Sequence, residues 1–354
     1  GDQTAAGKLI DRAIRSAERA QDDQLLRLLL GSRAEMDLWL GEYDRAMDLY
    51  GEALSIASTI GDVSARPLLL SELGWVSLLT GDLPTAARLA GEALEVAEDL
   101  GNRRAMTSSL RLMAESSLRQ GRFADAEVEA QQALAVAEGL GAPAETAGVR
   151  CTQASAALEQ RDHTAAAQLA ESALALAALG YAMRTTLPQW VLGVVALERG
   201  DLNEADTQLR AGVGKDGTGA PRHLANSRWG LARVRLAAGN APEAARLHRQ
   251  ALRLRHGMRD RLGVAESLVG AASVVASADP STAAALLSEA ERIRGDCAAV
   301  ATPRQAADVA AVRALLGGHE QVPEEEAVLA EGVAVDRALS ALAQIEHSTA
   351  ARAD

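Results

Sequence analysis

Aromatic residues are nearly missing from this chain: one Phe, three Tyr and four Trp among 354 residues. Sheet sandwiches and barrels fill their cores with aromatic and β-branched side chains, so this scarcity argues against a sheet. The apolar share is carried instead by Ala, Leu and Val, which suit closely packed helices. Cysteine is equally sparse. Cys151 and Cys297 have neither metal nor redox spacing, which excludes a disulfide framework and makes a reduced cytoplasmic setting the default expectation. No apolar run approaches membrane length, because Glu171 and Glu266 interrupt the best candidates, and no signal-like N-terminus is visible. A net charge of −12 argues against general nucleic-acid binding and leaves no membrane contact to expect. H-E-x-x-H, Walker and G-x-S-x-G patterns are all missing, so no enzyme, metal site or cofactor is expected.

What the chain does have is a period. The segment GDLPTAARLAGEALEVAEDLG begins at Gly81, and related segments begin at Gly41 and Gly121. Further copies start at Arg161, Gly200, Gly239 and Ala278, giving spacings of 40, 40, 40, 39, 39 and 39 residues. A fixed period of this length marks a stacked repeat array. Each unit reads as helix A, a short turn, helix B and a loop. In the second unit, Leu70, Leu73, Val76 and Leu79 recur at helical spacing, Gly81 makes the turn, and Asp82 with Pro84 opens the next helix.

Three places in the period take small residues. They are Ala34, Gly74, Ala114, Ala154, Gly193, Ala232 and Ala271 on helix A; Ala46, Ala86, Ala126, Ala166, Ala205, Ala244 and Ala283 early on helix B; and Ala53, Ala93, Ala133, Ala173, Gly212, Ala251 and Ala290 seven residues later. Small side chains at fixed positions let helix axes approach toward the short end of the usual ~8–10 Å range. The expected organisation is a half repeat at 1–22, full repeats at 23–62, 63–102, 103–142, 143–181, 182–220, 221–259 and 260–297, and an aperiodic helical cap at 298–354. In that cap, Pro303 to Leu316 reads as a helix, Pro323 to Glu326 as the start of another, and Ala334 to Ile345 as a last one. Gly1 falls 40 residues before Gly41 and no initiating Met is present, so the chain reads as a fragment of a longer protein.

Leu73-Gly74, Gly81, Ala86 and Ala93, with Tyr43, Leu83 and Phe123 two residues after their turns, resemble the tetratricopeptide (TPR) pattern. The resemblance implies an all-α, right-handed superhelical solenoid of about seven extended TPR helix pairs, with helix A lining a concave groove. The long repeat, its endings Ile60-Gly61-Asp62 and Leu100-Gly101-Asn102, and the tail from Ala285 to Gly332 resemble the C-terminal sensor region of bacterial AfsR-like and MalT/LuxR-like signal-transduction ATPases. That likeness implies a regulatory module of a transcriptional regulator. It would take a peptide, protein or small-molecule inducer in the groove and contact an upstream ATPase domain. A stand-alone scaffold that gathers protein partners is the alternative.

By the same resemblance, groove positions include Ser71, Trp75, Arg111, Glu115, Cys151, Ser155, Trp190, Val194, Trp229 and Arg233. The four Trp, at 39, 75, 190 and 229, all fall on helix A. They either grip a ligand or fill gaps between alanine-rich helices. A second anomaly is charge. Between Arg210 and Arg261, twelve basic residues face three acidic ones, a local +9 that includes Arg246, Arg249 and Arg253. This segment reads as a solvated face, as a surface for an anionic partner or an acidic face of the same protein, or as a nucleic-acid contact. Finally, Gly212, Gly214 and Gly217 match G-x-G-x-x-G, but no strand precedes them, so a joint in the superhelix explains them better than a phosphate loop.

Overall fold

A computed structural model describes residues 3–178, 185–213, 220–317 and 331–347, and among these it contains seventeen α-helices and no strand. After α1 (Gln3–Ala20) come seven helical hairpins: α2 (Asp23–Leu40) with α3 (Tyr43–Thr59), α4 (Arg66–Thr80) with α5 (Leu83–Asp99), α6 (Arg103–Arg119) with α7 (Phe123–Leu140), α8 (Pro143–Glu159) with α9 (His163–Ala177), α10 (Thr186–Glu198) with α11 (Leu202–Ala211), α12 (Pro221–Ala237) with α13 (Ala241–Gly257), and α14 (Arg261–Val275) with α15 (Pro280–Asp296). Two helices follow, α16 (Pro303–Leu316) and α17 (Glu331–His347). The molecule is an all-α helical-repeat solenoid of TPR type.

The small residues explain why the hairpins nest. All three sets of seven are buried, and at the early helix B position no alanine exceeds 2% exposure. The core is therefore a series of thin alanine layers between neighbouring helices, not one central mass. Many of the helix starts are fixed by short polar caps one residue ahead. Asp82, Asn102, Asp162, Asp201, Asn240, Asp260 and Asp279 each accept a backbone N–H three residues on.

The stack also folds back upon itself. The turn at Gly41 abuts Met258, where a Cβ would lie 2.6 Å from the Met Cγ, and the turn at Gly81 abuts Cys297, where it would lie 2.8 Å from Sγ. Both glycines also hold φ values, +78° and +91°, that a side chain would strain. One turn further, the Val300 amide donates to the Arg119 carbonyl at 2.9 Å. At the far end, Trp39 meets His223 edge-on with ring centroids 5.9 Å apart, and Arg259 pairs with Asp44 at 3.0 Å. The first three units thus face the last two and the segment that follows them.

The aperiodic tail does two things. Helix α17 packs on α13, α14 and α15, while α16 packs on α14 and α15 and its buried face reaches α8 in the fourth unit. The helix start expected at Pro323, and Gly214 and Gly217 of the glycine run, lie outside the described residues.

Candidate binding site between the two halves of the array

Helix A of successive units points inward, and where the two halves meet a cavity of about 220 Å³ remains. Trp75 on α4, Arg111, Glu115 and Arg119 on α6, Thr152, Ser155 and Glu159 on α8, and Trp190 on α10 form one side. Arg222 and Asn226 on α12, Arg255 on α13, Asp260 and Glu266 around the start of α14, Arg294 on α15, and Thr302 and Arg304 at the start of α16 form the other. Six arginines and four carboxylates line it among the described residues.

The two sides are joined by one buried ionic network centred on Arg304, which is 2% exposed. Its guanidinium donates to Glu159 at 2.8 Å and to Glu266 at 2.7 Å, with Asp308 at 3.4 Å. The Thr302 hydroxyl donates to the second Glu159 oxygen at 2.5 Å, while Arg255 donates to Glu266 at 2.8 Å. Burial alone would raise the Glu266 pKa, but Arg255 and Arg304 outweigh it and hold the carboxyl at about 2. Asp308 lies the other way: its burial prevails over Arg233 and Arg304 and pushes its pKa up.

A second cavity, of about 360 Å³, lies on the far side of this network and shares Glu266, Arg294 and Gln305 with the first. Its remaining walls are mostly apolar, from Leu197, Trp229, Leu236, Val269, Val312 and Leu315. Three guanidinium carbons surround the Trp229 ring, those of Arg233 at 4.7 Å, Arg304 at 5.2 Å and Arg255 at 5.9 Å. Nε1 of both Trp190 and Trp229 is buried without a hydrogen-bond acceptor.

The structure brings Trp75, Arg111, Glu115, Ser155 and Trp190 together on the first cavity and places Trp229 and Arg233 on the second. Ser71 lines neither: it is buried between α4 and α6, its hydroxyl 2.9 Å from that of Ser109. Val194 is fully buried in the apolar cluster around Trp190, and Cys151 is a buried thiol outside both cavities. In the basic segment, Arg246 pairs with Glu243, Arg249 with Glu346 of α17, and Arg253 is exposed. Arg233, Arg255 and Arg261 also pair with carboxylates of the chain, Asp308, Glu266 and Glu331, while Arg235 pairs with Asp206. Much of the local positive charge is thus spent on acidic faces of the same protein.

Arg304, Glu159 and Arg294 carry the centre of the site and had no signal in the periodic pattern. Glu266 had one, as a lone carboxylate in an otherwise apolar helix.

No known family's sequence pattern and no curated protein's sequence matches the chain. Among solved structures it is similar to a Rap protein complexed with Competence and Sporulation Factor, at 14% identity and TM-score 0.61 over 77% of this chain and 76% of that one. It is also similar to the apo form of RapI, at 14% identity and TM-score 0.47 over 81% and 80% of the chains. BtubC from P. vanneervenii matches at 20% identity and TM-score 0.42 over 73% and 92%. The first of these likenesses establishes the helical-repeat fold.

Proposed function

We propose that this chain is a non-enzymatic peptide- or protein-binding module whose ligand enters the cavity between the two halves of the array. The observation that carries this reading is convergence. Five side chains from four successive units, Trp75, Arg111, Glu115, Ser155 and Trp190, meet residues of the last units around one cavity. Two indole walls beside charged groups offer apolar grip and orientation together, the usual composition of a recognition site. The fold likeness to a Rap protein complexed with Competence and Sporulation Factor supports the same reading.

A displayed library of random heptapeptides tests it. Selected peptides are titrated while tryptophan fluorescence is followed. Trp190→Ala is expected to weaken binding at least tenfold, and Val128→Ala, on the exposed face of α7, to leave it unchanged. Unchanged affinity in both Trp75→Ala and Trp190→Ala overturns the site.

A narrower form of the proposal is a sensor of a larger cytoplasmic regulator. The closure through Arg304, Glu159 and Glu266 supports it, because an ionic contact between two halves gives a ligand something to open. Small-angle scattering then shows the radius of gyration changing when the cavity is filled. A radius that does not move leaves the binding module and removes the sensor.

A further inference from the structure

We infer that the ligand of the central cavity presents a compact anion, a carboxylate, and that Arg294 receives it. The inference rests on the binding reading above and assigns the ligand its chemistry.

Arg294 is the unbalanced member of the buried charge cluster. Arg233, Arg255 and Arg304 each hold a carboxylate, at 2.7, 2.8 and 2.8 Å. Arg294 is 6% exposed, and among the described residues no carboxylate comes within ion-pairing distance of its guanidinium. It nevertheless lines both cavities, at the wall they share with Glu266 and Gln305. Burial depresses its pKa, with Glu266 and Glu291 only partly offsetting that cost. Its nitrogens are not among the sealed, unpartnered polar atoms, so they open onto the cavities, and a largely buried guanidinium with no counter-charge of its own is a ready place for an anion. A carboxylate is the planar anion that two parallel N–H bonds of arginine fit.

Three further features point the same way. Six arginines against four carboxylates line the cavity. Arg119 and Arg222, which also line it, have no carboxylate in ion-pairing distance among the described residues. Trp190, on the facing side of the cavity, has an indole N–H that is buried without an acceptor. The size narrows the choice. About 220 Å³ is less than the ~300 Å³ at which drug-sized pockets begin, so the space takes an anchoring residue of a peptide and not its whole length. That anchor is an acidic side chain or a free C-terminus.

The test uses peptides selected on the full chain from the random heptapeptide library, remade in matched forms. In one form Asp and Glu become Asn and Gln; in the other the C-terminus is amidated. Neutralising the anchoring carboxylate is expected to weaken binding to the wild-type chain at least tenfold and to Arg294→Gln less than twofold. Which of the two forms loses affinity identifies the source of the carboxylate. Arg294→Gln without ligand is expected to melt at or above the wild-type temperature, and Arg294→Lys to keep the preference for the charged peptide. Binders indifferent to both neutralisations overturn the inference and leave the binding reading intact. Equal weakening of charged and neutral peptides by Arg294→Gln overturns it too, since that is the mark of a merely structural residue. A library that yields no cavity binder defeats the binding reading itself, and the inference with it.

Discussion

Replacing Arg304 by methionine removes the link between the halves of the array, and the structure sets the size of the effect. Its guanidinium is buried against Glu159, Glu266 and Asp308. Deleting one partner of a buried ion pair costs about 3–5 kcal/mol, because the surviving charge stays desolvated. Here the loss is shared unequally. Glu266 keeps Arg255 at 2.8 Å and Asp308 keeps Arg233 at 2.7 Å, whereas Glu159 keeps, among the described residues, only the Thr302 hydroxyl. One carboxylate is stranded, not three, which places Arg304→Met near the lower end, about 3 kcal/mol. Glu159→Gln removes the stranded charge, so the double variant should recover part of that loss, with a coupling of ~1–3 kcal/mol. Urea unfolding followed by circular dichroism measures all four corners of the cycle, and hydrogen exchange at α16 locates the change. A cost under ~1 kcal/mol, or strict additivity with Glu159→Gln, refutes the view that this network holds the halves together.

Other consequences follow from burial. His248 is fully buried with both ring nitrogens unpartnered, and burial, with Arg233 and Arg255 nearby, pushes its pKa down to about 3. The unfolded chain therefore takes up a proton that the native chain refuses as pH falls below about 6.5, and stability drops by roughly 2 kcal/mol by pH 5; His248→Leu should flatten that acid limb in urea titrations at pH 8 and pH 5. Glu72 has the opposite sign. Burial, reinforced by Glu35, raises its pKa to about 7, so the native state holds its proton longer and loses stability as pH rises from about 4.5 to 7. Glu72→Gln should gain most in melting temperature at pH 8 and least at pH 4; a gain independent of pH contradicts the assignment. Gly81→Ala should cost about 1–3 kcal/mol, from φ +91° and the approach to Cys297 Sγ, and Cys297→Ala should return only the steric part in the same unfolding assay.

How much of this was legible beforehand divides cleanly by distance along the chain. The alanine register is a local property. Ala46, Ala86 and Ala126 face neighbouring helices because each unit repeats the packing problem of the one before it, so the fold class could be read directly. That Trp75 and Trp190 share one cavity follows less directly, because it depends on how a small rotation per unit accumulates. The closure was not legible. The bond from Val300 to Arg119 spans 181 residues, and nothing in either segment names the other. Arg304 sat in the aperiodic tail, where no earlier unit offered a counterpart to reveal its direction. The excess of arginine after Arg210 was visible, but its main partners, Glu266, Asp308, Glu331 and Glu346, are late in the chain and became apparent only in three dimensions.

The meeting of Gly41 with Met258 and of Gly81 with Cys297 has a cost for the architecture. Open arrays can gain or lose a member and simply become longer or shorter, because each member touches only its neighbours. This one behaves like a bracelet with a clasp. Adding one 40-residue link between the fifth and sixth members would carry the clasp past its catch, so the circumference, and with it the number of links, is set by the fit of two glycines against two sulfur-bearing side chains.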